Sequence, residues 1–64
     1  MKLYEISRNT KVRVINPEGV PPGGINISDG EIVDFKHLDG MYSYCKNDKG
    51  EIVHLKAWQE VEIV

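Results

Sequence analysis

Four side chains in this sequence could form a metal site or activate a nucleophile: Asp34, His37, Cys45 and His54. Imidazole, thiolate and carboxylate groups bind zinc, and a cysteine beside a histidine is a common nucleophile. However, the alternating pattern of the strands directs Cys45 into the core and His54 to the opposite face, so the two cannot share a ligand sphere. We therefore expect no catalytic residue, no metal and no cofactor, with Cys45 as a small core residue. His37, next to a turn, is predicted to lie at the end of a hairpin.

Aromatic side chains form a second candidate site. Tyr42 and Tyr44 are two residues apart, so they share one face of a strand, and His54 lies on the next strand. Aromatic rings offer a large contact area at low entropic cost, which favours a binding surface, but ring pairs across strands also stabilise a sheet by about 0.2–1 kcal/mol each. Trp58 either belongs to this surface or caps one end of the core. The predicted binding residues are Tyr42, Tyr44, His54 and Trp58, with Pro21 and Pro22 from a loop.

Basic side chains near the start of the chain form an alternative site. Residues 1–20 carry four cations and two carboxylates, whereas residues 21–64 carry four lysines and eight carboxylates. Arg8, Lys11 and Arg13 beside aromatic rings would suit a single-stranded nucleic acid. The acidic remainder of the chain repels nucleic acid, and solvated charge that keeps a small domain soluble explains the same pattern. Nucleic acid is therefore the less favoured partner.

Length and composition limit the size of any site. Sixty-four residues make a single domain, predicted to span residues 1–64, near the lower limit for folding without help. A deep cleft would take up most of such a core, which disfavours an enzyme. The single cysteine excludes an internal disulfide and suits a reducing cytoplasm. Because the sequence has no signal peptide and no long apolar stretch, we expect a cytoplasmic protein without membrane contact.

Alternating polar and apolar residues predict about five antiparallel strands. They are predicted at residues 11–15, 31–37, 41–46, 51–55 and 60–64. Tight turns are predicted at residues 38–40 and 48–50, where a glycine supplies the positive φ that such turns need. A single 3-10 turn is predicted at residues 56–59.

The first hairpin has two possible registers. A two-residue turn would place Phe35 opposite Tyr44, whereas a three-residue loop with a glycine bulge would place Phe35 opposite Ser43. The second form is preferred because it agrees with the predicted pairing of Cys45 with Val53 in the next hairpin. The predicted inner face then holds Val33, Phe35, Met41, Ser43, Cys45, Val53 and Leu55. The predicted outer face holds Asp34, Lys36, Tyr42, Tyr44, Ile52 and His54.

A long loop separates the first strand from the other four. All three prolines and four of the six glycines fall within residues 16–30. Proline has no N–H to donate, so no strand ladder passes through Pro21 and Pro22. Loops of this length are uncommon in compact domains and are usually functional or mobile. The segment from Val20 to Gly24 is therefore predicted to contribute to the binding surface.

This order of elements resembles an SH3-like barrel, and the resemblance covers nearly the whole chain. It rests on the turn and strand at residues 29–33 and on the closing segments at residues 50–53, 56–59 and 61–63. The resemblance implies a small all-β barrel of about five antiparallel strands with a long Pro/Gly loop. The paired tryptophans and the Pro-x-Asn-Tyr turn of the peptide-binding family are missing, so a proline-rich ligand is not expected. Residues 37–45 and 54–58 are also similar to small uncharacterised proteins of tailed phages, which would imply a host cytoplasm.

The sequence therefore favours a non-catalytic interaction module that binds a protein or an extended peptide. Its surface would combine Tyr42, Tyr44 and His54 with the Pro-Gly loop, and pairing at an edge strand offers a second route to a partner. The alternative is a small nucleic-acid-binding barrel that uses Arg8, Lys11 and Arg13.

Overall fold

The computed structural model describes residues 1–17 and 27–64, and this part of the chain is an all-β domain. Its strands are β1 (Thr10–Val14), β2 (Ile32–Asp39), β3 (Tyr42–Lys46), β4 (Ile52–Val53) and β5 (Val61–Ile63). They form one antiparallel sheet in the order β4-β3-β2-β1-β5. The all-β prediction and the five strands are confirmed, but across the described ranges the sheet does not close into a barrel.

One face of the sheet carries the hydrophobic core. Val12 and Val14 of β1 point inward as their alternation predicts, while Lys11 and Arg13 lie on the other face. The remaining core side chains come from all four of the other strands, from Leu55 just after β4, and from the first residues of the chain. In the part of the chain that the structure describes, the buried hydrophobic residues are Leu3, Ile6, Val12, Val14, Val33, Phe35, Cys45, Val53, Leu55 and Val61.

The first hairpin differs from both predicted registers. Its turn consists of Gly40 and Met41, because Asp39 pairs directly with Tyr42. A bulge between Phe35 and His37 then shifts the pairing, so that Phe35 lies opposite Cys45 instead of Ser43 or Tyr44. The preferred register is thus wrong by two residues at Phe35 and by three between the bulge and the turn. The bulge takes up the odd residue, so the predicted inner set is buried as expected except for one turn residue.

The exception is Met41, which was predicted to face the core and is 63% exposed. It lies at the tip of the hairpin because the turn falls one residue later than predicted. A tip position projects beyond the sheet, so its side chain has no core to reach.

The second hairpin has the predicted register, with Cys45 opposite Val53. Asn47 closes its turn: the side-chain oxygen of Asn47 accepts hydrogen bonds from the N–H groups of Lys49 (3.0 Å) and Glu51 (2.9 Å). The N–H of Gly50 donates to the carbonyl of Asn47 at 3.0 Å. Gly50 has φ +79°, in the left-handed region that the turn was predicted to need.

Replacing Gly50 by valine should lower the free energy of unfolding by about 1–2 kcal/mol. A Cβ at this position would meet no atom within 4 Å, so the cost comes from the backbone conformation and not from a clash. Thermal melting measures the loss, with Gly50→Asn expected to lose less because asparagine tolerates positive φ. Lys49→Val, one residue away, is the control. A Gly50→Val variant that melts with the parent would show that this turn does not depend on glycine.

The 3-10 turn lies at the start of the chain, at Leu3–Glu5, and not at residues 56–59 as predicted. Residues 56–59 instead form a turn in which the N–H of Gln59 donates to the carbonyl of Lys56 at 2.9 Å. The N–H of Leu3 bonds to the carbonyl of Gln59, also at 2.9 Å, and the Leu3 side chain is fully buried. The first residues are therefore held against the closing segment by both packing and backbone pairing.

Across residues 1–17 and 27–64, no helix has the length and hydrophobicity needed to cross a membrane.

Candidate functional site

The candidate site is the outer face of the sheet, opposite the core. It is formed by the alternate residues of each strand whose neighbours are buried. Tyr42, Tyr44 and Lys46 lie on this face of β3, and His54 lies beside Tyr44 on the neighbouring segment. The outward positions predicted for both tyrosines and for His54 agree with the half-buried state of all three side chains.

Three rings form a row across β2, β3 and the segment that follows β4, and we call His37, Tyr44 and His54 the aromatic row. The ring of His37 stacks on Tyr44, with centroids 4.8 Å apart and planes 25° apart. The ring of His54 contacts Tyr44 at 4.9 Å with an interplanar angle of 76°. Such contacts stabilise the sheet, and they also fix the orientation of the three rings.

The β2 bulge is what brings His37 into this row. Phe35 and His37 are two residues apart, so a regular strand would place both on the same face. The bulge lets Phe35 point into the core opposite Cys45 while His37 points outward opposite Tyr44. The sequence prediction placed His37 at a hairpin end and so missed this role. The signal that could have revealed it is an apolar and a polar residue two positions apart, which a regular strand would place on the same face.

His54 also has a structural task. Its Nδ1 lies 2.9 Å from the carbonyl oxygen of Ser43, and because a carbonyl only accepts, Nδ1 carries the proton. The hydroxyl of buried Ser43 in turn donates to the carbonyl of Leu55 (3.0 Å) and accepts from its N–H (3.2 Å). Side chains thus replace part of the backbone ladder where β4 ends.

Tyr42 and Trp58 lie towards the other end of β3 and are connected through Lys56. Tyr42 pairs with Asp39 on one side and forms an isolated bridge with Lys56 on the other. The ammonium of Lys56 lies 5.9 Å from the ring centroid of Trp58, within the range of a cation–π contact. Trp58 is 44% exposed, so the expectation that it caps the core is wrong. Within the described ranges it makes no ring contact with the aromatic row.

An open groove adjoins the row. It has a volume of about 660 Å³ and lies between the turn at Gly30 and the turn at Gly50. Its lining includes Lys11, Asp34 and Lys46 of the outer face, together with Glu31 and Asp48 beside the two turns. Since Lys46 follows Tyr44 by two residues on β3, the groove and the aromatic row form one continuous surface.

The basic side chains of the alternative site are dispersed. Lys11 pairs across the sheet with Asp34, and Arg13 pairs with Glu62. Arg8 lies in the turn before β1, outside the strand. The cations therefore alternate with carboxylates instead of forming an unbroken strip.

Cys45 and the two histidines do not assemble into a reactive site. Cys45 is buried in the core, while His37 and His54 lie on the outer face. Within residues 1–17 and 27–64, no three histidine, cysteine, aspartate or glutamate side chains are placed to hold a metal ion. Pro21, Pro22 and the Val20 to Gly24 loop, predicted to join the binding surface, lie outside the described residues.

Comparison with protein families, with curated proteins and with solved structures finds no match to this chain. The site is therefore interpreted from its own chemistry.

Proposed function

We propose that this protein is a non-catalytic interaction module whose outer face binds an extended peptide segment of a protein partner. The observation that carries this is the aromatic row, with Tyr42 beside it, on a face that the core does not need. Among the described residues, ten hydrophobic side chains already fill the core on the other side of the sheet. Half-exposed aromatic rings held in fixed orientations are the kind of anchor that protein interfaces favour.

The ring geometry supports a peptide over a nucleic acid. Base stacking needs an open ring face, but Tyr44 has His37 stacked on one side and His54 against it on the other strand. A base would have to displace His37 to reach that face of Tyr44. The row instead offers ring edges with hydroxyl and imidazole groups, which hydrogen-bond to peptide groups and side chains.

The order of elements also supports an SH3-like fold as part of this proposal. One strand, a long connection, a three-strand meander, a turn and a short closing strand follow one another as in that fold. The unpaired thiol of Cys45 is compatible with a reducing cytoplasm, which we propose as its location.

Exchanging both tyrosines, Tyr42→Ser with Tyr44→Ser, should lower peptide binding at least about tenfold, because it removes the central anchors of the surface. A displayed library of random 12-residue peptides is first selected for binding to the wild-type domain. The affinity of each enriched peptide is then measured for the wild type and for the variants. Thermal melting checks that the variant is folded, and Tyr42→Ser alone is the milder substitute, since no ring contact of Tyr42 is found in the described ranges.

The matched control is Tyr4→Ser, which removes a tyrosine that is 59% exposed but lies on the 3-10 turn, outside the strands of the sheet. It should leave peptide affinity unchanged. His54 variants are unsuitable for this purpose because they also remove the partner of the Ser43 carbonyl. Folded tyrosine variants that bind as tightly as Tyr4→Ser, or a library without enriched peptides, would contradict the proposed function.

A further inference from the structure

Two aspartates in this chain, Asp29 and Asp39, are each followed by a glycine. In such a pair the backbone nitrogen of the glycine can attack the side-chain carboxyl group of the aspartate, because glycine has no Cβ to hinder the approach. Each of the other two aspartates is followed by a residue with a bulky side chain. The sequence therefore contains two candidate sites for the same backbone chemistry.

The two sites are alike in exposure and in backbone conformation. Both aspartates and both glycines are exposed. Gly30 has φ +85° and Gly40 has φ +64°. A Cβ built on either glycine would meet no atom within 4 Å, so neither site is shielded by packing on that side. A difference in reactivity between the sites must then come from hydrogen bonding.

Hydrogen bonds hold both reacting groups at the first site. The N–H of Gly30 donates to the carbonyl of Val14 at 2.7 Å, and the Oδ1 of Asp29 accepts from the N–H of Asn16 at 2.8 Å. An attack by the Gly30 nitrogen breaks the first bond, because the nitrogen loses its proton. It also breaks the second bond, because the carboxyl group has to turn towards Gly30. These two bonds therefore protect Asp29.

The same two groups are free at the second site. Gly40 begins the two-residue turn, just beyond the last pair of β2 and β3, which is Asp39 with Tyr42. Within residues 1–17 and 27–64, no acceptor binds the N–H of Gly40, and no donor or cation binds the carboxyl group of Asp39. A hairpin tip is also a place where local opening costs little free energy.

We propose that Asp39–Gly40 is a site of spontaneous modification, at which the backbone rearranges to isoaspartate. The nitrogen of Gly40 bonds to the Cγ of Asp39 and gives up its proton, and one carboxyl oxygen leaves as water, so that a cyclic imide forms. Water then adds to either carbonyl of the imide. Cleavage of the bond from the nitrogen to Cγ restores aspartate. Cleavage of the bond from the nitrogen to the main-chain carbonyl carbon leaves the chain running through Cβ and Cγ.

The rearrangement changes the pair that closes the first hairpin. The isoaspartyl residue has one more carbon atom in its backbone, and its former main-chain carbonyl becomes a free carboxylate. Because Asp39 pairs directly with Tyr42, the extra atom disturbs the backbone hydrogen bonds of this pair. The tip of the β2–β3 hairpin therefore changes with the age of the molecule, and no enzyme is needed.

Peptide mapping of aged protein tests the proposal. Folded protein and protein in denaturant are incubated side by side at physiological temperature, and isoaspartate is located by mass spectrometric fragmentation. Trypsin places Asp29 in the peptide of residues 14–36 and Asp39 in that of residues 37–46, so each site is measured separately. In folded protein, isoaspartate should form at Asp39 at least about tenfold faster than at Asp29, since only Asp29 must first lose two hydrogen bonds.

The unfolded protein is the matched control, because it keeps both sequences and loses the hydrogen bonds. The two rates should then agree within about twofold. Asp39→Glu should show no isomer at position 39, because glutamate would have to close a larger ring. Equal rates in folded protein, or isoaspartate at Asp39 only after unfolding, would overturn the proposal. A tenfold difference that persists in denaturant would also overturn it, because neighbouring residues and not hydrogen bonds would then control the reaction.

Discussion

Native protein should react with a thiol reagent roughly 100-fold to 5,000-fold more slowly at Cys45 than unfolded protein does. Cys45 is fully buried between its partners Phe35 and Val53, so the reagent reaches it only when the domain opens. A domain of this size has a margin of about 3–5 kcal/mol, which sets the population of the open form. Burial also raises the pKa of the thiol, against a hydrogen bond with Ser43 that lowers it, so the native group stays protonated near neutral pH.

The rates are measured with an aromatic disulfide reagent in buffer and in denaturant. Ser7→Cys in a Cys45→Ala background is the control, since position 7 is exposed and its thiol should react at similar rates in both states. Equal rates for Cys45 in the two states would mean that it is not in the core. The registers of both hairpins that contain β3 would then be wrong.

Side-chain patterning made the faces of the sheet predictable while leaving the pairing of the first hairpin unpredictable. Alternation determines which side chains share a face, and on β3 this holds although the pairing with β2 differs from the prediction by two residues on one side of the bulge and by three on the other. The register depends on where the turn falls, and Gly40 serves either of two turns because it tolerates positive φ in both. Gly40 has φ +64° and is the first residue of the observed turn, Gly40–Met41. This turn lies one position later along the chain than the predicted two-residue turn.

The candidate site was predictable only in part. Tyr42 and Tyr44 followed from alternation on β3, but His37 required the bulge, which depends on how Phe35 fits opposite Cys45 in the folded core. Trp58 was ambiguous because a large apolar residue in a turn suits either a core or a surface. Leu3, hydrogen-bonded to the residue after Trp58, is the buried side chain at that end, and a distant contact of this kind has no local signal.

Replacing Ser43 by alanine should have the largest effect on stability of any substitution of a polar side chain in the sheet. The Ser43 hydroxyl is buried and takes the place of a backbone acceptor for the N–H of Leu55. Alanine leaves that N–H without a partner, and an unsatisfied buried donor costs about 1–3 kcal/mol. For a domain of this length the melting temperature should fall by about 5–20 °C.

Calorimetry or circular dichroism measures the fall, with Ser7→Ala as the control because Ser7 is exposed and should change stability by less than about 0.5 kcal/mol. His54→Ala tests the other half of the arrangement: it removes the Nδ1–H donor of the Ser43 carbonyl and should cost about 1 kcal/mol. The loss of unfolding free energy in the double variant should not equal the sum of the two single losses, since the groups belong to one hydrogen-bonded network. If Ser43→Ala melts with the parent, β4 is held to β3 by backbone pairing and packing alone.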